Sequence, residues 1–368
     1  MCYYVKPDTS RQQEFISLIK SAEDKEVALI SGRINRKDVT TFLTKGRLQQ
    51  LKEQIIHHRA RQVFIDAELT GIQLRNLMRE LKIEVIDRTG LILMIFAKRA
   101  KSLAGKMQVQ LAKMQYEASH LVHIWTHLER QRGALGKTGG PGEKQIELDR
   151  RILEQKIKKL KKDLKTLGKQ RQAQRKKRIR SNAFTIALVG YTNTGKSTLF
   201  NCLTKANSLA KDQLFASLDA MARSFYIPTL PHSQNLVALD TVGFIRDLPH
   251  SLIEAFHATL EETRLADLLL IIGDISDNEA NLRYLDVDKV LAEIGVEKIP
   301  RIIVWNKIDL LTQPPTPINL ANNSKQTVFI SSKNKQGLDN LINIIANQVE
   351  NQNQFNCCLL YTSDAADE

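Results

Sequence analysis

No apolar run in this 368-residue chain approaches the length that a bilayer demands. The longest, such as Leu91-Ile-Leu-Met-Ile-Phe-Ala97, fall far short of the roughly 20 residues of a membrane helix. The start, Met1-Cys-Tyr-Tyr-Val-Lys-Pro-Asp8, lacks a secretion-signal pattern. Cysteine is scarce, and Cys2, Cys202, Cys357 and Cys358 form no C-x-x-C pair, which fits a reducing compartment. These absences predict a soluble, cytoplasmic protein with at most a peripheral membrane association. Acidic residues are also in deficit: 40 Asp and Glu face 54 Lys and Arg, a net charge of +14. Such an excess favours an anionic partner, most simply nucleic acid. The length exceeds one ordinary core and predicts two or three domains.

What is present concentrates between residues 184 and 333. The apolar run Phe184-Thr-Ile-Ala-Leu-Val189 leads into Gly190-Tyr191-Thr192-Asn193-Thr194-Gly195-Lys196-Ser197-Thr198 and then a helix-like stretch. This is the G-x-x-x-x-G-K-[ST] phosphate-loop pattern in the strand–loop–helix context it requires. Its glycines let successive N–H groups point inward at phosphate oxygens, reinforced by a helix N-terminus. Lys196 is expected to bridge the β- and γ-phosphates, and the Ser197 hydroxyl to ligate Mg²⁺. A second run, Asn235-Leu-Val-Ala-Leu239, ends in Asp240-Thr241-Val242-Gly243. Asp240 is expected to hold Mg²⁺ through water, and the Gly243 N–H to sense the γ-phosphate.

Asn306-Lys307-Ile308-Asp309 follows the run Arg301-Ile-Ile-Val-Trp305. A carboxylate at Asp309 accepts from both the ring N–H and the 2-amino group of guanine, whereas adenine would leave it unpaired. Ser331-Ser332-Lys333, after Thr327-Val-Phe-Ile330, is placed to support the base through its backbone. The ordered set predicts a GTP-binding, GTP-hydrolysing domain that changes shape when the terminal phosphate leaves. One position departs from many small GTPases: the residue after Gly243 is Phe244, where a Gln would orient the attacking water. A phenyl ring neither donates to nor accepts from water, so unaided hydrolysis is expected to be slow and to need a partner.

Three regions precede or contain these motifs. Residues 1–98 alternate strand-like segments (26–30, 62–65, 83–86) with amphipathic ones (46–59, 72–81), predicting a small α/β layer with a mostly parallel sheet and no phosphate loop. Residues 99–181 carry two a/d heptad seams. The first runs through Ala104, Met107, Leu111, Met114, Ala118, Leu121, Trp125 and Leu128. The second uses Ile146, Leu153, Ile157, Leu160, Leu164 and Leu167, with Arg150 and Arg171 at its other a positions. A glycine-rich stretch between them, residues 133–142, predicts an antiparallel coiled-coil hairpin with arms of roughly 40–50 Å. Residues 182–350 hold apolar runs each followed by a loop and a helix-like stretch. They predict a doubly wound sheet with ligands at the carboxyl ends of its strands.

Lys156 to Arg180 contains thirteen Lys or Arg against Asp163 alone. Charge runs are usually solvated faces, but concentrating the excess on one element points to phosphate contacts and salt-dependent RNA binding. Lys137, Lys144, Arg171, Arg175, Lys176, Lys177 and Arg178 are the candidate RNA contacts. His123 and His127 have a metal-ligand spacing, but with no carboxylate or Cys completing the set, they and His120 are expected to pack or to touch RNA.

The motifs resemble those of the HflX family of ribosome-associated GTPases over residues 10–350. The matching stretches include Val85-Ile-Asp-Arg-Thr-Gly-Leu-Ile-Leu93, Trp125-Thr-His-Leu128, Gly140-Pro-Gly-Glu143 and Asp240-Thr-Val-Gly-Phe-Ile245 with Leu248-Pro-His250. The resemblance implies a P-loop GTPase sheet, preceded by a small α/β domain and an antiparallel helical hairpin, with residues 351–368 unassigned and of foreign appearance. It further implies a monomer whose GTP form binds the large ribosomal subunit near the peptidyl-transferase centre of 23S rRNA. Such a factor splits stalled or idle ribosomes under stress. The alternative reading is an assembly or anti-association module whose hydrolysis is incidental. The first switch, Phe215-Ala216-Ser217-Leu218-Asp219, departs from the family's Phe-Ala-Thr-Leu-Asp. Ser217 keeps the Mg²⁺-binding hydroxyl without the methyl that restrains χ1. At the tip, Gly139 and Lys144 replace the family's Arg and Thr.

Overall fold

The computed structural model describes residues 2–4, 9–22, 28–31, 37–124, 141–180, 183–205, 215, 221–231, 235–246, 263–312 and 326–364. The chain divides into two compact units, one built on Met1–Gln170 and one on Arg171–Arg246 and His257–Glu368.

The first unit carries a four-stranded sheet in the order β2-β1-β3-β4, formed by β1 (Cys2–Tyr4), β2 (Leu29–Ser31), β3 (Gln62–Ile65) and β4 (Glu84–Asp87). Its described pairings are parallel. The first strand escaped sequence inspection because three residues show no period. Helices α1 (Thr9–Ala22), α2 (Lys45–His57), α3 (Gly71–Leu81), α4 (Arg88–Arg99) and α5 (Leu103–Ile124) complete the unit. Local chemistry sets their ends. The Thr70 hydroxyl accepts from the Gln73 N–H while the Gln73 side chain reaches back, a reciprocal cap on α3. Asp87 caps α4 by accepting from the Gly90 N–H at 2.7 Å, and it also accepts from the Leu69 N–H and the Tyr116 hydroxyl. Burial pushes its carboxyl above the usual range, against the pull of those bonds. The apolar run Leu91–Ala97 lies within α4, buried on most sides rather than extended.

A buried ionic cluster ties this unit together. The Arg88 guanidinium donates to Glu14 at 2.5 Å and to Asp66 at 2.7 Å, and Arg11 donates to the other Asp66 oxygen at 2.7 Å. Helix α5 crosses the start of α3 so closely that a Cβ on Gly71 would sit 2.6 Å from the His120 carbonyl oxygen. His120 therefore packs, with one ring nitrogen 3.2 Å from the Leu69 carbonyl. His127 lies outside the described residues, as do Trp125 and the glycine-rich stretch to Gly140; the His123 side chain is likewise not described. Among the described residues no His, Cys, Asp or Glu grouping suits a metal ion.

Helix α6 (Pro141–Arg180) is the long basic element. Along its described length, Leu153, Ile157, Leu160, Leu164 and Leu167 are partly buried while most intervening residues are exposed. That is the seam the heptad pattern marks.

The second unit is a six-stranded sheet in the order β10-β9-β8-β5-β7-β6. Its strands are β5 (Phe184–Gly190), β6 (Met221–Phe225), β7 (Leu236–Asp240), β8 (Leu268–Asp274), β9 (Arg301–Asn306) and β10 (Gln326–Phe329). All pairings are parallel except β6 with β7, an antiparallel edge. The sequence hid β6 because Ala222, Arg223 and Ser224 are exposed, so no apolar run marks it. Strands β5 and β7 are buried throughout, as doubly wound sheets require. Helices α7 (Lys196–Thr204), α8 (Ala280–Glu293) and α9 (Leu338–Asp364) pack around the sheet. The core gathers Ile186, Leu188, Phe200, Leu270, Val304 and Leu341 from strands and helices alike.

Candidate nucleotide site

Strand β5 ends at Gly190, where the chain must turn under the neighbouring strand: a Cβ there would meet the Ile272 carbonyl oxygen at 2.2 Å. The loop then passes through two left-handed residues, Asn193 (φ 63°) and Gly195 (φ 90°), before entering α7. Gly195 has no alternative, since a Cβ would lie 2.2 Å from the Asn306 side-chain nitrogen.

Lys196 heads α7 with its amine buried, donating to the Tyr191 carbonyl at 2.6 Å. Burial pulls its pKa down to about 8, with Asp240 opposing the shift. The Ser197 hydroxyl donates to Asp240 Oδ2 at 2.8 Å, so the ends of β5 and β7 bring these two oxygen donors together. Thr241 donates from its hydroxyl to the Leu188 carbonyl at 2.6 Å, fixing the chain just after Asp240. Val242 is buried. Gly243 lies against the loop: a Cβ would be 2.9 Å from both the Lys196 amine and the Thr192 Cα.

The loops after β9 and β10 converge on the same end of the sheet. Asn306 is a strut between loops, donating to the Thr194 carbonyl at 2.8 Å and accepting from the Ser332 N–H at 2.9 Å and its hydroxyl at 3.1 Å. Lys307 (φ 68°) turns the chain and pairs with Asp274 at 2.6 Å. Ile308 begins a single 3₁₀ turn that presents Asp309. The Ser331 hydroxyl donates to Asp309 Oδ1 at 2.5 Å and accepts from the Asn334 N–H, so the serine supports the carboxylate through its side chain. Lys333 is exposed.

Of the first switch, Phe215 is described and buried, with a left-handed φ of 55°; Ala216, Ser217, Leu218 and Asp219 lie outside the described residues. The same holds for Lys137, and for the side chains of Lys144, Arg171, Arg175, Lys176, Lys177 and Arg178. Residues that sequence reasoning passed over are Asp274, Arg246, Glu279 and Arg283. Asp274 carries a signal in retrospect, ending the run Leu268–Ile272 as Asp240 ends its own. The others sit in polar stretches without a pattern.

The buried lysine has a pH consequence. Because its proton is held less tightly in the fold than in the unfolded chain, nucleotide-free stability is expected to rise between about pH 8 and 10.5. A polyphosphate favours the charged amine, so binding takes up a proton above pH 8. GDP affinity should therefore fall about fivefold between about pH 7.5 and 8.8, and Lys196→Met should flatten that profile. A wild-type profile as flat as the variant's would contradict the assignment.

Known proteins match most of the chain. A family model described as "50S ribosome-binding GTPase" matches residues 185–307. Models described as "GTP-binding GTPase N-terminal" and "GTP-binding GTPase Middle Region" match residues 9–97 and 99–178. The GTPase HflX of Caldanaerobacter subterraneus subsp. tengcongensis is 44% identical over 308 residues, covering 84% of this chain and 70% of that one. The GTPase HflX of Escherichia coli K12 is 41% identical over 346 residues, covering 94% and 80%. Among solved structures, the GDP complex of SsGBP is similar at 26% identity and a TM-score of 0.52, covering 94% of this chain and 97% of that one.

Proposed function

This chain belongs to the HflX family of GTPases, and from that premise we propose that its GTP-bound form docks on the large ribosomal subunit and separates stalled or idle ribosomes under stress. Hydrolysis of GTP to GDP and phosphate, stimulated by the ribosome, then releases the factor for another round. The observation that carries this reading is the convergence of three groups on one sheet end: the buried Lys196 amine, the Ser197–Asp240 oxygen pair and the Ser331-braced Asp309 carboxylate.

Each group has a physical role. Lys196 neutralises charge on the β- and γ-phosphates, where burial strengthens its field. Asp309 reads guanine by accepting two hydrogen bonds. Ser197 and Asp240 are hard oxygen donors 2.8 Å apart, a set that fits Mg²⁺, with Ser217 as a further ligand from the first switch. The ion, when bound, neutralises phosphate charge. Gly190 to Thr198 cradle the phosphates, and the Gly243 N–H registers the third one.

Phe244 is buried, and its backbone bonds the phosphate loop on both sides, donating to the Gly190 carbonyl at 3.1 Å and accepting from the Thr192 N–H at 2.7 Å. Its side chain offers attacking water nothing. Hydrolysis on this chain alone is therefore slow, and large subunits should raise turnover by several orders of magnitude. Unchanged turnover in their presence would favour the second reading, an anti-association module with incidental hydrolysis. That reading draws on the same Phe244.

The basic helix α6 supplies the RNA affinity. Engaging about six of the thirteen cations between Lys156 and Arg180 makes binding fall roughly a thousandfold between 50 and 200 mM salt. Replacing Arg175, Lys176, Lys177 and Arg178 with alanine should lower the slope of log affinity against log salt by about 3 to 4. Sedimentation with large subunits and a non-hydrolysable GTP analogue at two salt concentrations measures it, and an unaltered slope places the RNA contact elsewhere.

A further inference from the structure

The segment after Gly243 is fastened to the phosphate loop by more than the Phe244 backbone. The Arg246 N–H donates to the Tyr191 hydroxyl at 2.7 Å, and the Arg246 guanidinium pairs with Glu279 at 2.6 Å, just before α8. Tyr191 is the second residue of the phosphate loop, and its ring lies under the Arg283 guanidinium of α8, 4.9 Å from the ring centroid. The ring is buried, and its hydroxyl accepts from the Arg246 amide. One tyrosine thus grips the loop through its carbonyl, which accepts from Lys196 and Thr194, and the following segment through its hydroxyl.

We propose that Tyr191 and Glu279 are positioning residues that set the preference of this site between guanosine diphosphate and triphosphate. They clamp Phe244–Arg246 on the phosphate loop, and a triphosphate must release that clamp while a diphosphate need not. The reason is spatial. With the clamp closed, the Thr192 N–H is spent on the Phe244 carbonyl. Gly243 is pressed so near the Lys196 amine that even one added carbon would fall 2.9 Å from it. A third phosphoryl group reaching for Lys196 needs that same space and those same donors. A diphosphate ends short of it. The clamp also links the site to α8, because Glu279 is the N-cap residue of that helix and Arg283 lies on it.

This inference rests on the nucleotide-site reading, and the experiment separates the two. Affinities for GDP and for a non-hydrolysable GTP analogue are measured on the full chain and on Tyr191→Phe and Glu279→Gln. Tyr191→Phe keeps the ring beneath Arg283 and removes only the hydroxyl; Glu279→Gln keeps the side chain's shape and removes the charge that pairs with Arg246. Each variant should shift the affinity ratio toward the triphosphate by about fivefold, the scale of one weakened hydrogen bond. If both nucleotides weaken equally, or the ratio stays fixed in both variants, the clamp assignment is overturned. If the wild-type chain binds neither nucleotide, it is the site reading that falls.

Discussion

Asp309→Asn is expected to weaken GTP binding by at least about a hundredfold and to turn the site toward xanthosine triphosphate. The carboxylate accepts from two guanine donors, and each such charge-assisted bond contributes about 1.5–3 kcal/mol. An Asn in the same place offers one oxygen and one NH2 group, so the 2-amino group of guanine faces a donor. Xanthine carries an oxygen there and regains the bond. The Ser331 hydroxyl, which donates to Asp309 at 2.5 Å, holds the side chain in position so that the exchange of one atom type is felt fully. Competition between guanine and xanthine nucleotides for the variant measures the inversion. A variant that still prefers guanine places base recognition on another residue.

The second large effect belongs to the first unit. Arg88→Met should lower its stability by about 3–5 kcal/mol, because removing one partner strands buried charge. Glu14 would lose the guanidinium 2.5 Å away, and Asp66 would lose the one at 2.7 Å while keeping its pair with Arg11. Side chains of Glu14, Asp66 and Arg88 are all at most 4% exposed, so water cannot replace what is lost. Hydrogen exchange on the β3 and β4 amides reads this directly, with protection falling roughly a hundred- to several-thousand-fold. Replacing the cluster as a whole with apolar residues of similar volume should cost far less, since the penalty lies in the stranded charge. Unchanged protection in Arg88→Met would mean that this network contributes little to the unit.

Much of the site was legible in the chain. Gly190 to Ser197 names its own loop because the glycines are dictated by local backbone: Gly195 sits at φ 90° and Asn193 at φ 63°. Asp240 and Asp309 follow apolar runs that could only be buried strands. By contrast, β6 and β1 left no trace, the one because its side chains face water and the other because three residues are too few for a period. Tyr191 was visible as a variable position of the loop pattern, yet nothing in the pattern says that its hydroxyl meets the Arg246 amide 55 residues later. Phe244 was legible as a phenyl ring where many small GTPases carry a Gln. That its backbone is stitched to Gly190 and Thr192 was not.

From residue order alone come the chemical parts: a phosphate-loop pattern, an Asn-Lys-Ile-Asp motif, a series of buried strands and a helix carrying thirteen bases in twenty-five residues. These are set by neighbours within a few positions, through glycine conformation, apolar runs and charge density. Which parts touch was decided by the sheet, whose order β10-β9-β8-β5-β7-β6 brings Thr194, Asn306 and Ser332 into one network across 138 residues of chain. Strand pairing is a long-range choice, made by burying whole faces at once. No local pattern encodes it, and so the strut at Asn306 and the grip of Tyr191 exist only in three dimensions.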